Sequence, residues 1–178
     1  MNIRNATLAI LLTSTLFIAG TFTEANAKKP ADNSLLQLAL NANASGPFAG
    51  EFDTLIAAVL AADPAVAAVL ANKGQHTVFA PNDTAFSNLG LDPVTVAGLD
   101  QDTLTFILLY HVVRGRLDAQ EVIASEKLNT LVRGKNGFVM QDGGMLTDNT
   151  GAMSTIIVTN IPASNGIIHV IDSVLMPE

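Results

Sequence analysis

Residues 165–177 read NGIIHVIDSVLMP, a turn followed by an apolar run and then a polar break. The opening Asn-Gly pair is a hairpin-type turn signal. The run Ile167–Ile171 is rich in β-branched residues and predicts a strand. Because side chains alternate along a strand, His169 shares a face with Ile167 and Ile171, so we expect it in the core rather than in a metal site.

The segments before this strand share its character as far back as Lys127. Short apolar runs alternate with Gly, Asn and Asp, which is the pattern of strands joined by turns. The predicted strands are Leu128–Val132, Phe138–Gln141, Met145–Thr147, Ser154–Asn160 and Ile167–Ile171.

Residues 34–124 show a helical period instead. One short strand, Thr77–Ala80, interrupts it and is stopped by Pro81; Asn82 or Asp83 then caps the next helix. The predicted helices span about 35–40, 51–62, 64–72, 83–89, 93–99, 103–113 and 118–124. Their predicted N-caps include Ser34, Asp63, Asp118 and, for the helix over 103–113, Asp100 or Asp102; Pro64 suits the first position of its helix. A helical half followed by a strand half predicts an α+β fold rather than an alternating α/β fold.

The composition of the 178-residue chain excludes several classes of protein. The absence of cysteine rules out disulfide scaffolds, iron–sulfur proteins, cysteine zinc sites and cysteine nucleophiles. Nine Lys and Arg against 16 Asp and Glu give a net charge of −7, and there is no Trp. Since phosphate neutralisation requires a basic surface, we expect no nucleic-acid partner.

The start of the sequence has the pattern of a secretory signal peptide. Arg4 precedes an apolar stretch over 6–20, and Ala25-Asn26-Ala27 supplies an A-x-A cleavage site. The alternative is a retained membrane anchor, but hydroxyl residues at 13–15 interrupt the run, which is shorter than the roughly 18 residues that a span needs. The predicted organisation is a signal peptide over 1–27, a linker over 28–34 and one domain over 35–178. We expect a product exported to the periplasm or the extracellular medium, without a membrane span in the mature chain.

The residues that could support catalysis or metal binding form no recognised pattern. The three histidines lack the H-x-x-x-H and H-E-x-x-H spacings of metal sites; His76 is expected at the surface, and His111 on the apolar face of its helix. There is no G-x-S-x-G or S-x-x-K nucleophile motif. A calcium loop that began at Asp142 would need a glutamate where Met153 stands. We therefore expect no enzyme, no metal and no cofactor.

The negative charge is unevenly distributed, and one segment of the chain is basic. Residues 114–135 carry five basic and three acidic side chains, a net charge of +2. The basic residues are Arg114, Arg116, Lys127, Arg133 and Lys135. Such a segment is either an ordinary solvated face or a docking patch for an anionic partner such as an acidic polysaccharide, and the sequence leaves both open.

Three blocks of the sequence together resemble the fasciclin domain family. They are residues 77–86, TVFAPNDTAF; residues 108–113, LLYHVV; and residues 165–177. The blocks occur in the family's order and at family-like separations, and the resemblance covers about Leu35 to Pro177. Two positions depart from the family: Asn82 stands where Thr or Ser is more frequent, and Arg114 replaces a proline that often follows the second block.

The resemblance implies helices packed on a wedge-shaped β-sandwich, with the first and last blocks as core strands brought together. It assigns structural roles to Phe79, Pro81, Asn82, Asp83, Phe86, His169 and Asp172. In animal members the second block is implicated in integrin binding. That role points here to Tyr110, His111, Val112 and Val113, to which we add the neighbouring Arg114 and Arg116. Helical periodicity alternatively places His111 in the core.

Two functions follow from these observations. The first, implied by the resemblance, is an exported, non-enzymatic module for cell adhesion or for surface and matrix interaction, as in a biofilm. Its partner would be a surface or matrix protein or a polysaccharide, and self-association is an option. The second is a carrier of an apolar ligand such as a carotenoid or lipid, as some secreted fasciclin-like proteins of photosynthetic microbes are. The Ala-rich helices over Leu55–Ala71 would provide its groove, although close helix packing is the commoner reason for that composition.

Overall fold

The structure of the chain is a computed structural model that describes residues 33–178. The predicted signal peptide over 1–27 and most of the predicted linker lie outside the described residues. The described helices are α1 Leu35–Ala44, α2 Asp53–Ala61, α3 Pro64–Ala71, α4 Asp83–Ser87, α5 Pro93–Ala97, α6 Gln101–Tyr110 and α7 Ala119–Ala124. The described strands are β1 His76–Pro81, β2 Val112–Arg114, β3 Lys127–Asn129, β4 Phe138–Asp142, β5 Met145–Thr147, β6 Met153–Ala163 and β7 Gly166–Ile171.

Side chains cap several helix N-termini where the sequence predicts them. Ser34, Asp63 and Asp118 accept hydrogen bonds from backbone N–H groups in the first turns of α1, α3 and α7. Of the two alternatives for α6, Asp100 is the cap, and Pro64 occupies the first position of α3 as expected. These caps satisfy N–H groups that have no partner within their own helix.

The helix predicted to reach Val113 ends three residues earlier, at Tyr110. The next residues form β2, which pairs antiparallel with β1. A short apolar run fits a buried strand as well as a helical turn, and here the available edge of β1 decides between them. Strand β6 is longer than predicted, because two register shifts against β7 let the pairing continue past Asn160.

A seven-stranded sheet in the order β2-β1-β7-β6-β5-β4-β3 forms the centre of the fold. Strands β1 and β7 run parallel, and the other neighbouring pairs are antiparallel. The two ends of this order approach each other. Val113 of β2 forms an isolated bridge with Thr130, and the N–H of Leu131 donates to the carbonyl of Val112 at 2.7 Å. The sheet is therefore folded over on itself, and the prediction of an α+β fold with helices packed on a folded sheet is confirmed.

Two apolar cores result from this arrangement. The first lies between the helices and the sheet and includes Leu35, Phe52, Val66, Phe86 and Ile168. The second lies inside the folded sheet and includes Phe79, Tyr110, Leu128, Leu146 and Ile171. Strand β7 contributes to both cores, so every one of its residues is buried. A strand covered on both faces loses the apolar–polar alternation of a half-exposed strand, which is why the last block is so continuously apolar.

Helices α2 and α3 consist mostly of Ala, Val and Leu. Within the described part of the chain no single helix is long and apolar enough to cross a membrane. Only α2 and α3 taken together reach that length and composition, and they are bent by 117° at the break between them.

The turn before β7 joins three elements. Asn165 is buried, and its Oδ1 accepts a hydrogen bond from the N–H of Leu35, at the start of α1, at 2.7 Å. Its Nδ2 donates to the carbonyl of Leu70, near the end of α3, at 2.9 Å. Gly166 follows, and a Cβ there would overlap the carbonyl oxygen of His76 on β1. The Asn-Gly pair therefore forms the turn and also allows these elements to pack closely together.

Candidate functional site

The second block lies at the junction between α6 and β2. The N–H of His111 still donates to the carbonyl of Ile107, in the manner of the helix before it. The following residue, Val112, is already paired with Val78 of β1. This pairing fixes the backbone at the junction, and the rings of Tyr110 and His111 are both buried there.

His111 connects α6 to the C-terminal segment through both ring nitrogens. The N–H of Leu175 can only donate, so Nε2 of His111 accepts from it, at 2.9 Å. Nδ1 then carries the ring hydrogen and donates to the carbonyl of Ile107 at 2.8 Å. The residue is 3% exposed, and burial lowers its pKa to about 4. His111 is therefore a neutral imidazole at neutral pH, with both nitrogens occupied by the fold.

Tyr110 is the one tyrosine of the sequence, and it is fully buried. Its hydroxyl donates to the carbonyl of Phe138 on β4 at 2.7 Å, and its ring belongs to the core inside the folded sheet. Burial raises the pKa of Tyr110 to about 12, so the phenol stays protonated. The side chain ties the end of α6 to β4.

Of the six residues proposed from sequence to bind a partner, the two arginines reach the surface. The four buried ones are Tyr110, His111, Val112 and Val113. Arg114 is exposed at the end of β2. Arg116 is also exposed, and its Nη1 donates to the carbonyl of Ala163 on β6 at 3.0 Å. A partner that docks on the intact fold can reach the two arginines but not the four residues before them.

Folding pairs the backbones of the two chain segments that carry the basic residues. The bridge between Val113 and Thr130 puts the segment with Arg114 and Arg116 beside the segment that runs from Lys127 to Lys135. Lys127 places its amino group 3.6 Å from the centre of the Phe138 ring, and Arg133 and Lys135 are exposed. We name this group the basic seam; it consists of Arg114, Arg116, Lys127, Arg133 and Lys135.

The first and last blocks meet as the parallel pair of β1 and β7. Phe79 is paired with His169 in the register, and the two rings stack with their centres 5.6 Å apart. Nδ1 of His169 accepts from the N–H of Asn160 at 3.3 Å, and Nε2 donates to the carbonyl of Leu117 at 3.0 Å. Burial lowers the pKa of His169, which favours the neutral ring. Asn160 reaches this position through the irregular pairing of β6, with a φ of 61°.

Asn82 and Asp83, which the sequence offered as alternative caps for one helix, cap two different helices. Oδ1 of Asn82 accepts from the N–H of Ala85 at 3.0 Å and caps α4. Asp83 accepts from the N–H groups of Asp53 and Thr54, at 3.1 and 2.9 Å, at the start of α2. The residue before α2 provides no side-chain cap of its own. A carboxylate suits this position because a helix N-terminus is positive.

The remaining residues of the structural motif lie around the same strands. Pro81 is buried at the end of β1, and Phe86 attaches α4 to the helical core. Oδ1 of Asp172 accepts from the N–H of Thr155 at 2.7 Å and joins the end of β7 to β6. All three residues act within the fold.

Asp148 closes a local turn and also makes a connection to a distant segment. Its Oδ1 accepts from the N–H groups of Thr150 and Ala152, at 2.9 and 3.0 Å. Its Oδ2 accepts from the N–H of Met176 at 2.8 Å. The local sequence indicates the turn, but the second contact joins residues 28 positions apart and carries no local signal.

Two apolar cavities share Leu108 and His111 in their walls. The first, the helical cavity, has a volume of about 110 Å³ and lies between α1, α2, α3 and β1; its walls include Ala39, Ile56, Val59, Ala67 and Val78. The second, the C-terminal cavity, has a volume of about 350 Å³, and its walls include Phe86, Leu99, Leu104, Ile107 and Met176. The helical cavity lies along Leu55–Ala71, the stretch where the sequence predicts a groove.

Within residues 33–178, no cluster of three or more His, Asp or Glu side chains could hold a metal ion. His111 and His169 are fully engaged in protein hydrogen bonds. The surface expectation for His76 was wrong in part, because the residue is half-buried and its Nδ1 is enclosed without a partner among the described residues.

The chain is similar to a known domain family and to several known proteins. The model of the Fasciclin domain matches residues 50–177. Protein sll1483 from Synechocystis sp. is 39% identical over 128 residues, which make up 71% of this chain and 67% of that protein. Immunogenic protein MPB70 from Mycobacterium bovis is 33% identical over 106 residues, which make up 60% of this chain and 52% of that protein.

Among solved structures, the chain is similar to the FAS1 domain pair from the insect cell adhesion molecule fasciclin I. The TM-score is 0.51 at 21% sequence identity, and the match covers 66% of this chain and 42% of that one. The chain therefore spans about half the length of MPB70 and less than half of the domain pair. Because the family model covers most of its length, this chain belongs to the fasciclin domain family.

Proposed function

We propose that the chain is an exported, non-enzymatic fasciclin module for adhesion or for surface and matrix interaction, and that it binds an anionic polysaccharide through the basic seam. The observation that carries this proposal is the concentration of positive charge. Of the nine Lys and Arg, three stand at positions 4, 28 and 29, Lys73 follows α3, and the other five form the basic seam. Family membership supports the adhesive part, since the fold is shared with a domain pair from a cell adhesion molecule.

The charge of the rest of the chain would orient a polyanion. The net charge is −7, so a polyanion is repelled by most of the surface and attracted where basic side chains are grouped. The guanidinium groups of Arg114 and Arg116 suit sulfate and carboxylate groups, because their planar forks match these anions.

The buried residues of the second block support this surface from below. Tyr110 anchors the end of α6 to β4, and His111 anchors it to Leu175. These anchors hold the start of β2, whose last residue is Arg114. On this proposal, the second block contributes to binding by positioning the arginines and not by contacting the partner.

Retention on immobilised dextran sulfate tests the seam. We expect the chain to bind and to be released by salt, since the contact is electrostatic. The double variant Arg114→Glu with Lys135→Glu should bind at least about tenfold more weakly, because exposed ion pairs contribute up to about 1 kcal/mol each and each reversal adds repulsion. Two matched controls are Lys73→Glu, a charge reversal outside the seam, and uncharged dextran. Equal losses in the double variant and in Lys73→Glu would contradict the role of the seam.

The cellular role needs its own measurement. Deleting the gene should reduce attachment or biofilm formation, and the double variant should fail to restore it although it is produced and folded. Unchanged attachment of the deletion strain under several conditions would count against adhesion, whatever the outcome with dextran sulfate.

The helical cavity favours a second candidate function, the binding of an apolar ligand such as a carotenoid or lipid, of which its volume of about 110 Å³ would hold one end. Apart from His111, its walls are apolar, and both nitrogens of that ring are occupied. Apolar cavities of this kind stay dry and accept apolar molecules. The protein purified from its native host should then show a visible spectrum or extractable lipid. Ala67→Phe, which fills the cavity, should remove the ligand, whereas Ala65→Phe, at an exposed position of the same helix, should keep it. A colourless, lipid-free preparation would rule this function out.

A further inference from the structure

The outward face of β4, β5 and β6 carries three of the five methionines of the chain. Met140, Met145 and Met153 are 45%, 43% and 62% exposed, while Val139 and Leu146 on the same strands are buried. Exposed positions of an antiparallel sheet are usually polar or β-branched. Neither the basic seam nor the helical cavity accounts for methionine at all three.

The strand register places these methionines around Thr147. Met140 of β4 is paired with Thr147 on one side, and Met153 of β6 is paired with it on the other. Met145 precedes Thr147 by two residues on β5, so it lies on the same face. Neighbouring strands are about 4.8 Å apart, and alternate residues of one strand are about 6.8 Å apart. The three methionines therefore form a triangle, and Thr147 lies on the side between Met140 and Met153.

This arrangement lets three sulfur atoms converge. Methionine is unbranched, with several rotatable bonds and a polarizable thioether, so its sulfur can move to suit a ligand. Thr147, between Met140 and Met153, has a shorter side chain than either. Asp142 is paired with Met145 and adds a negative charge at the edge. Lys127, which is paired with Met140, holds its amino group over the Phe138 ring.

The chemistry of thioethers indicates which metal ion the three methionines would bind. Soft sulfur ligands favour Cu(I), whereas Mg, Ca and Mn favour carboxylate, carbonyl and water oxygens. The chain has no cysteine, so the methionines are its available sulfur ligands. We propose that Met140, Met145 and Met153 bind one Cu(I) ion above Thr147. The ligands are uncharged and exposed, so the ion exchanges readily with the solution.

Titration of the full chain with Ag(I) tests the site, because Ag(I) shares this ligand preference and is redox-stable. Native mass spectrometry should show one ion bound per chain, and competition with a chromophoric ligand gives the affinity. Met145→Leu keeps an apolar side chain but removes a sulfur ligand, and should weaken binding by about tenfold or more. Met176→Leu is the matched control, because Met176 lines the C-terminal cavity away from the triangle. Circular dichroism verifies folding of each variant, and Met140→Leu or Met153→Leu replaces Met145→Leu if that variant fails to fold.

The pH dependence of binding provides an independent readout. A thioether takes up no proton, so the affinity should stay constant from about pH 8 to about pH 5, whereas imidazole or carboxylate ligands would lose affinity as they are protonated. The proposal is overturned by the absence of a bound ion, by equal affinities of Met145→Leu and the wild type, or by a steep loss of affinity in acid. Each outcome is independent of the dextran sulfate result.

Discussion

Replacing His111 by leucine tests the buried imidazole that joins α6 to the C-terminal segment. Leucine restores an apolar side chain but leaves the buried N–H of Leu175 without its acceptor. An unpartnered buried N–H costs about 1–3 kcal/mol, and imperfect filling of the ring's space adds to this. We therefore expect His111→Leu to lower the free energy of unfolding by about 2–4 kcal/mol at about pH 7.

The same substitution should remove part of the acid sensitivity of the protein. Burial lowers the pKa of His111 in the folded chain to about 4, from an ordinary value of 6.5. Because the folded pKa is the lower one, the unfolded chain takes up the proton first, and stability falls as the pH drops from 6.5 towards about 4. Because His111 is protonated in the unfolded chain first, the free energy of unfolding of the wild type should fall by about 2 kcal/mol between about pH 7 and about pH 5. Leucine does not titrate, so the stability difference between the two proteins should shrink by about that amount.

Urea unfolding at constant ionic strength measures this difference. Far-UV circular dichroism is the main probe because the chain has no Trp, and the fluorescence of Tyr110 is the second. Acid sensitivity from His169 is present in both proteins and cancels in the comparison. A difference that stays constant within about 0.5 kcal/mol between the two pH values would refute the coupling of His111 protonation to unfolding. His111→Gln, which keeps an acceptor and does not titrate, serves if the leucine variant does not fold.

Three further predictions concern single contacts. Asp83→Ala removes the distant cap of α2 and should lower the free energy of unfolding, measured with urea, by about 1–2 kcal/mol. An unchanged free energy would mean that the N–H groups of Asp53 and Thr54 are satisfied without Asp83. Gly166→Ala should lower the free energy of unfolding by about 3 kcal/mol or more, because the added Cβ would overlap the carbonyl of His76. Gly143→Asn, at a φ of 57°, should change it by no more than about 0.5 kcal/mol. Similar losses in the two variants would contradict the close approach of Gly166 to β1. Tyr110→Phe should cost about 1 kcal/mol. Since burial raises the pKa of Tyr110 to about 12, ultraviolet titration of the folded wild type should show no phenolate up to about pH 11, and earlier ionisation would argue against its burial.

Local features of the structure could be predicted well from the sequence. The caps at Ser34, Asp63 and Asp118 and the Pro at the start of α3 depend on residues within one turn of each other. The strand at Ile167–Ile171 depends on its own composition. The apolar neighbours of His169 on that strand also predicted its burial, and the residue is buried. Such features need no knowledge of what the segment packs against.

Contacts between distant segments could not be predicted in this way. Asp83 is the first residue of α4, yet it caps α2, about 30 residues earlier, because the path of β1 places it there. Val112 and Val113 share the apolar character of α6 but belong to a strand, because β1 offers an unpaired edge. Asn165 carries the signal of a turn, while its bonds to Leu35 and Leu70 depend on the docking of α1 and α3.

The features of the candidate site also separate into those that the sequence predicts and those that depend on tertiary contacts. By itself the sequence determined the identity and order of the three blocks, the segregation into α+β and the five basic residues of segment 114–135, because these depend on residue type and spacing. The tertiary structure alone decided that Tyr110 and His111 are buried while Arg114 and Arg116 face the solvent. It also decided that the two ends of the sheet meet and pair the segments that carry the basic residues, and that three methionines lie beside Thr147. The physical reason is that burial and proximity arise from pairing and packing between segments distant in sequence, which no local pattern encodes.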